Sequence, residues 1–180
     1  TWRGDGLETQ IGHELGLAYV KEKSYKKALS LLRDTASYTR DEDNRREIVE
    51  DMQNIFSDLF LGDLSKGLSP IQSVSIYEAF SELLPVGEEG DKIIQALIRK
   101  LVDVDLVDRA AKLLDQLIEN RLTGLDRSKN LVKLARLYVM NREAEKALEV
   151  LENLPELGDG EEEQQIYKDA ILVKAKALAD

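Results

Sequence analysis

The segment Leu15-Gly16-Leu17-Ala18-Tyr19, followed by Ala28 and Leu32, places a small residue beside a leucine, an aromatic residue one turn later, and then a second small residue before a large apolar one. The pattern recurs later in the chain, at Leu134-Ala135-Arg136-Leu137-Tyr138, Ala147 and Leu151. This spacing is typical of a repeat made of two antiparallel helices joined by a short turn. Such repeats stack into α-solenoids, whose extended surfaces bind other proteins.

The small residues in this pattern have a physical role. Two helices of a hairpin pack with their axes roughly 8–10 Å apart, and a small side chain at the crossing point permits that approach. The expected crossing points are Gly16, Ala28, Ala110, Ala135 and Ala147. These residues are therefore interpreted as builders of the fold, with no part in its chemistry.

The predicted fold class is all-α, an α-α superhelix of helical hairpins in which one repeat is irregular. No segment shows the strict alternation of a half-buried strand, and Pro, Gly and capping residues divide the chain into helices. A single domain is predicted over residues 1–180. The predicted helices are 7–22 and 24–38, 42–61 and 70–84, 91–103 and 105–121, 126–140 and 142–154, and finally 161–179.

Capping residues support several of these boundaries. Ser69 stands before Pro70, which is favourable at a first helical position because its missing N–H costs nothing there. Asp91 and Asp126 each follow a glycine-containing segment and are expected as N-caps.

Two segments leave alternatives open. Residues 62–68 are longer than a tight turn, and they are either a surface loop that packs back or an insertion that binds a partner. The final helix either caps the fourth hairpin or begins a fifth repeat. The chain opens with Thr1-Trp2-Arg3 instead of Met, so we expect a piece of a longer protein and predict no cellular location.

The composition excludes several functional classes. The formal net charge is −10, which disfavours nucleic acid and anionic membranes as partners, because both attract a surplus of Lys and Arg. The absence of cysteine excludes disulfides, thiolate metal ligands and a cysteine nucleophile within the chain. No apolar run approaches the ~18 residues of a membrane-spanning helix.

No catalytic, cofactor or metal site is predicted. The chain has no phosphate-binding glycine loop and no zinc-protease or nucleophile-elbow motif. His13 is the only histidine, so a triad or a histidine metal cluster cannot form within the chain. Two interpretations of His13 stay open, a polar contact in a binding groove and a solvated helix side chain.

The segments Leu15-Gly16-x-x-Tyr19…Tyr25-x-x-Ala28…Leu32 and Leu134-Ala135-x-x-Tyr138…Ala147…Leu151 resemble the tetratricopeptide repeat (TPR) family. The resemblance is good over the first and fourth hairpins, fair over the third and poor over the second. The chain departs from the family at Gly12, where Trp is common, and at Lys23 and Arg142, where Gly is common. The resemblance implies a right-handed superhelix whose first helices line a concave, partner-binding groove.

A second resemblance covers the middle of the chain. The segments Pro85-Val86-Gly87-Glu88-Glu89-Gly90-Asp91 and Asn120-Arg121-Leu122-Thr123-Gly124-Leu125 are similar to an internal part of long, uncharacterised TPR proteins of alphaproteobacteria. This similarity implies no activity.

The candidate partner-binding residues are Lys92, Arg99, Lys129, Lys133 and Arg136. Lys92 and Lys129 are 37 residues apart (129 − 92), and so are Arg99 and Arg136 (136 − 99), which places each pair at equivalent repeat positions. Lys129, Lys133 and Arg136 have helical spacing and share one face. This basic strip is either a binding surface for an acidic peptide or a carboxylate terminus, or a solvated face with salt bridges to nearby carboxylates.

The predicted function is a non-enzymatic scaffold that holds a peptide or a partner protein in a concave groove. The alternative is a structural segment of a longer helical-repeat protein that assembles through its ends, so a homo-oligomer is also possible. No cofactor is expected, and the missing motifs disfavour an enzyme.

Overall fold

The computed structural model describes residues 6–179, and within that range every regular element is helical, which confirms the all-α prediction. No helix in this range is long and apolar enough to cross a membrane. Short 3₁₀ segments lie at Asp63–Gly67 and Ser81–Leu83. The α-helices are α1 (Gly6–Lys21), α2 (Tyr25–Tyr38), α3 (Glu42–Leu61), α4 (Pro70–Ala79), α5 (Glu88–Asp103), α6 (Val107–Arg121), α7 (Gly124–Met140), α8 (Ala144–Glu152) and α9 (Glu161–Ala177).

The chain divides into two compact units, Thr1–Ile93 and Ile94–Asp180. The division falls inside α5, so the first unit contains α1 to α4 and the second contains α6 to α9. The single domain over 1–180 stays a prediction. The opening Thr1-Trp2-Arg3 lies outside the described residues.

Three helix-to-helix turns share one backbone geometry. In each turn a non-glycine residue adopts a left-handed conformation: Lys23 at φ 59°, Asp105 at φ 61° and Arg142 at φ 59°. The N–H of that residue donates to the carbonyl three residues earlier, and the next N–H donates to the carbonyl five residues earlier, as in a Schellman motif. The donor–acceptor pairs are Lys23–Val20 and Ser24–Tyr19 (both 2.9 Å), Asp105–Val102 (3.0 Å) and Leu106–Leu101 (2.9 Å), and Arg142–Val139 (3.0 Å) and Glu143–Tyr138 (2.8 Å).

The side chains around these turns repeat as well. Five residues after each left-handed residue stands an alanine with no exposed surface: Ala28, Ala110 and Ala147. In the first and fourth hairpins a lysine also covers the tyrosine of the preceding helix, with Lys27 Nζ 4.1 Å from the Tyr19 ring and Lys146 Nζ 5.5 Å from the Tyr138 ring. The α1–α2 and α7–α8 hairpins are therefore alike in backbone and in packing.

Small residues lie where these helices meet. Gly16 is buried, and a Cβ built on it would overlap the side chain of Leu32 on α2. Gly12, one turn earlier, is also buried and would collide in the same way with Thr35. Ala135 on α7 has no exposed surface. All five predicted crossing residues are thus buried, as the pattern requires.

The irregular second hairpin of the first unit is held by its linker. Ser69 accepts from Gln72 N–H (3.2 Å), and the Gln72 side chain accepts from Ser69 N–H (2.9 Å), which forms a complete capping box before Pro70. The preceding segment forms a 3₁₀ turn that packs on α3, and Leu68 is buried at its end. Of the two interpretations of residues 62–68, the packing loop agrees with the structure.

Several predicted boundaries are wrong. α4 ends at Ala79 instead of residue 84, because the chain tightens into a 3₁₀ turn that keeps Phe80 and Leu83 in the core. α5 begins at Glu88, after Gly87 at φ 78°, so Asp91 lies in the first turn and is not the N-cap. α7 begins at Gly124, which likewise places Asp126 inside the helix.

The second unit has its own apolar core beneath α9. Ile166, Ala170, Val173 and Ala177 on α9 form a buried cluster with α7 and α8 residues that include Ala135 and Ala147. These four residues therefore form the packing face of α9.

We expect Gly16→Leu to lower the free energy of unfolding by about 1–3 kcal/mol, because the new side chain has to displace Leu32 from the helix contact. Urea unfolding followed by circular dichroism measures the change. Ala18→Leu is the matched control, because Ala18 is exposed on the same helix. Equal stability of the two variants would place the helix contact elsewhere.

Lys23→Gly and Arg142→Gly should each raise stability by about 0.5–1 kcal/mol. A residue with a side chain is strained in the left-handed conformation, and glycine relieves this strain. Part of the resulting gain in stability is offset by the greater freedom of glycine in the unfolded chain. Lys21→Gly, at the last residue of α1, should instead destabilise the protein. A loss of stability in both turn variants would contradict the strain argument.

Candidate functional site

The five candidate residues lie on two helices. Lys92 and Arg99 are on α5, with Lys92 in the first unit and Arg99 in the second. Lys129, Lys133 and Arg136 are on α7, in the second unit. The four cations of the second unit, Arg99, Lys129, Lys133 and Arg136, form the basic cluster, and Lys92 of the first unit is not part of it.

Two of the five cations are paired with carboxylates. Lys92 Nζ lies 2.7 Å from Glu88 Oε1, one turn earlier on the same helix, and this contact raises the pKa of Lys92 and lowers the pKa of Glu88. Lys129 Nζ lies 3.1 Å from Glu162 Oε2 at the start of α9. For these two lysines, the solvated face with salt bridges describes the structure.

The other three cations have no carboxylate partner among the described residues. Arg99, Lys133 and Arg136 are exposed, and none of them forms an ion pair within 6–179. The chain carries 35 acidic and 25 basic residues, so carboxylates are the commoner charge and pairing would be the expected outcome. The three unpaired cations therefore distinguish this surface from one on which each cation has a carboxylate partner.

The charges of the cluster act on one another. Partial burial of the Lys133 ammonium lowers its pKa, although the residue as a whole is exposed. The positive charges of Arg99, Lys129 and Arg136 lower that pKa further, and only Asp126 opposes them. An anion placed here would relieve this repulsion, because an opposite charge favours the protonated lysine.

The position of the cluster follows from how α7 is packed. α7 contacts α6, α8 and α9, and its apolar residues, among them Leu131 and Leu134, are buried. Lys133 and Arg136 lie on the remaining side of α7 and are exposed. The helical spacing in the sequence predicted a face shared by Lys129, Lys133 and Arg136, of which the structure exposes Lys133 and Arg136 and leaves Lys129 half-buried.

Two polar features of this region were missed by sequence reasoning. Glu162 lies in the first turn of α9, and nothing in the local sequence indicates its contact with Lys129, which lies 33 residues away. Asn130 is buried on α7; its Nδ2 donates to the Asp126 carbonyl (2.7 Å), while its Oδ1 has no hydrogen-bond partner in the described part of the chain.

His13 does not behave as a free surface residue. Its Nε2 lies 2.7 Å from Asp51 Oδ2 on α3, and its side chain is largely covered. The interpretation as a solvated helix side chain is therefore wrong, because the contact with Asp51 ties α1 to α3. Within residues 6–179 no group of three His, Cys, Asp or Glu residues is arranged to hold a metal ion.

No protein-family model matches the chain, and no curated protein or solved structure matches it either.

Lys133→Gln should stabilise the fold slightly at neutral pH, because it removes a partly desolvated charge that its neighbours repel. The Lys133 pKa is lower in the folded chain than in the unfolded one, so the unfolded chain holds more protons between the two values. The advantage of the variant should therefore shrink as the pH rises through the lowered pKa, and vanish above the ordinary lysine value of about 10.4. Urea unfolding at several pH values measures this.

Lys112→Gln is the control for this experiment, since Lys112 is exposed on α6 outside the cluster. A Lys133→Gln variant that is less stable than the parent at neutral pH would contradict the repulsion argument.

Proposed function

We propose that the chain is a helical-hairpin repeat protein of the tetratricopeptide type, and that it serves as a non-enzymatic scaffold for another protein. The three turns with one backbone geometry support the repeat, because they recur with buried alanines at the same offset. Lys23 and Arg142 depart from the family residue but adopt the left-handed conformation that glycine favours. The departures from the sequence pattern are thus compatible with the backbone of such a repeat.

The basic cluster is the proposed contact surface, and its ligand is an acidic peptide segment or a carboxylate terminus. The observation that carries this proposal is the exposure of three cations that have no carboxylate partner within residues 6–179, on a chain of net charge −10. Such an arrangement costs stability, and a bound carboxylate would turn the repulsion into attraction. Arg99 and Arg136 also offer the planar fork of donors that matches a carboxylate.

The paired residues refine the proposed surface. Lys92 and Lys129 already neutralise Glu88 and Glu162, so they contribute less to binding than the sequence pattern predicted. The contact then centres on Arg99, Lys133 and Arg136. A neutral or basic segment would gain nothing there, and this favours acidic ligands over others.

A pull-down from native lysate with the 180-residue chain would identify the partner. A synthetic peptide of its most acidic segment can then be labelled and titrated by fluorescence anisotropy. Its affinity should fall as the salt concentration rises, because the contacts lie on an exposed surface.

Lys133→Glu combined with Arg136→Glu should weaken this binding by about tenfold or more, because two charge-assisted contacts are replaced by repulsion. The helical circular dichroism should be unchanged, since both side chains are exposed. Arg109→Glu combined with Lys112→Glu on α6 changes the net charge equally, and both residues are exposed outside the cluster. Equal loss in the two double variants would mean that net charge alone, not the cluster, governs binding.

A further inference from the structure

A groove between α8 and α9 in the second unit has a volume of about 920 Å³. It is open to solvent, and the segment between the two helices closes one side of it. Its lining is largely apolar and includes Leu148, Leu151, Leu154, Leu157, Tyr167 and Ile171. None of these residues belongs to the basic cluster, so the groove is a separate surface.

α9 has two apolar faces, and only one of them is covered. Ile166, Ala170, Val173 and Ala177 pack into the core of the unit. Tyr167, Ile171 and Leu178 point into the groove and keep 60%, 51% and 68% of their surface exposed. Contiguous exposed apolar surface of this kind marks an interaction site.

The charges of α9 are segregated along its length. Its first turn holds Glu161, Glu162 and Glu163, whereas Lys174 and Lys176 lie in its last turn. Glu163 and Lys174 both line the groove, and neither forms an ion pair with any described residue. The groove thus has an acidic end and a basic end, separated by about 16 Å of helix, at 1.5 Å per residue.

We propose that this groove is a homodimer interface, in which α9 of one copy packs antiparallel against α9 of a second copy about a two-fold axis. An axis near Asp169 brings Tyr167 opposite the partner's Ile171, and it brings Glu163 to within one residue, about 1.5 Å along the helix, of the position opposite the partner's Lys174. Both contacts occur twice, as an isologous interface requires. A parallel arrangement would instead place equal charges side by side.

The charge pattern of the groove favours α9 of a second copy as its occupant. A helix of a second copy supplies both an apolar stripe and the complementary order of charges, and the loop residues Leu154 and Leu157 would cover the far side of that helix. The proposal does not depend on the basic cluster, so Lys133→Glu with Arg136→Glu should leave dimerisation unchanged.

Sedimentation equilibrium of the 180-residue chain tests the interface. We expect a monomer–dimer equilibrium, and we expect Ile171→Glu to raise the dissociation constant by at least about tenfold, because a charge would enter the apolar contact. Two exposed isoleucines of the first unit supply matched controls, Ile71→Glu on α4 and Ile11→Glu on α1. A chain that stays monomeric up to about 1 mM, or a dimer that Ile171→Glu leaves intact, would overturn the proposal.

The Ile11→Glu variant has a second use. Leu7, Ile11 and Leu15 form an exposed apolar stripe on α1, which is another possible occupant of the groove. Dissociation by Ile11→Glu would assign the groove to α1 of the second copy and would exclude the α9 pairing.

Charge reversal tests the antiparallel register. Glu163→Lys and Lys174→Glu should each weaken the dimer, because Lys then faces Lys or Glu faces Glu across the axis. A mixture of the two variants should form a heterodimer with an affinity close to that of the parent, because each copy then supplies the charge the other lacks. Failure of the mixture to associate, with both variants still helical by circular dichroism, would exclude this register.

Discussion

Two helices of a hairpin approach only as closely as the side chains between them allow. In this chain, glycine and alanine at the contact positions make the close approach possible. α1 presents Gly12 and Gly16, one turn apart, to α2. Thr35 and Leu32 fill the space that a Cβ on either glycine would need. The buried alanines Ala28, Ala110, Ala135 and Ala147 meet the same requirement elsewhere. Dispersion and apolar burial along the helix contact depend on this proximity.

Close packing also decides which surfaces are left for binding. α7 is covered by α6, α8 and α9, and its exposed cations Lys133 and Arg136 lie on the remaining side. α9 packs one apolar stripe into the core and leaves the second stripe facing the groove. The two proposed contact surfaces of the second unit would therefore bind through different interactions. The basic cluster concentrates positive charge, which is the less common sign in this chain. The groove between α8 and α9 exposes apolar surface between an acidic end and a basic end.

The sequence was a good guide to the backbone and a poorer guide to helix ends. The pattern around Gly16 and Ala135 predicted both hairpins and their buried crossing points, because period and side-chain size are local properties. The end of α4 was mispredicted by several residues, since burial of Phe80 and Leu83 stabilises a 3₁₀ turn in place of another helical turn. Asp91 and Asp126 were misassigned as caps for a similar reason. A residue suited to capping is also favourable in the first helical turn, where the helix dipole acts in the same direction.

The sequence by itself determined that the chain is helical, where its small residues are buried, and that Lys129, Lys133 and Arg136 share a helix face. Those properties depend on spacing along one helix. Only the tertiary structure decided which of the cations are neutralised, because Glu162 reaches Lys129 from α9, while Arg99, Lys133 and Arg136 form no ion pair with any residue that the structure describes. It also decided that His13 contacts Asp51, and that one stripe of α9 is covered and the other is not. Electrostatic pairing and burial depend on distance in space, and residues more than thirty positions apart are brought together only by the packing of helices.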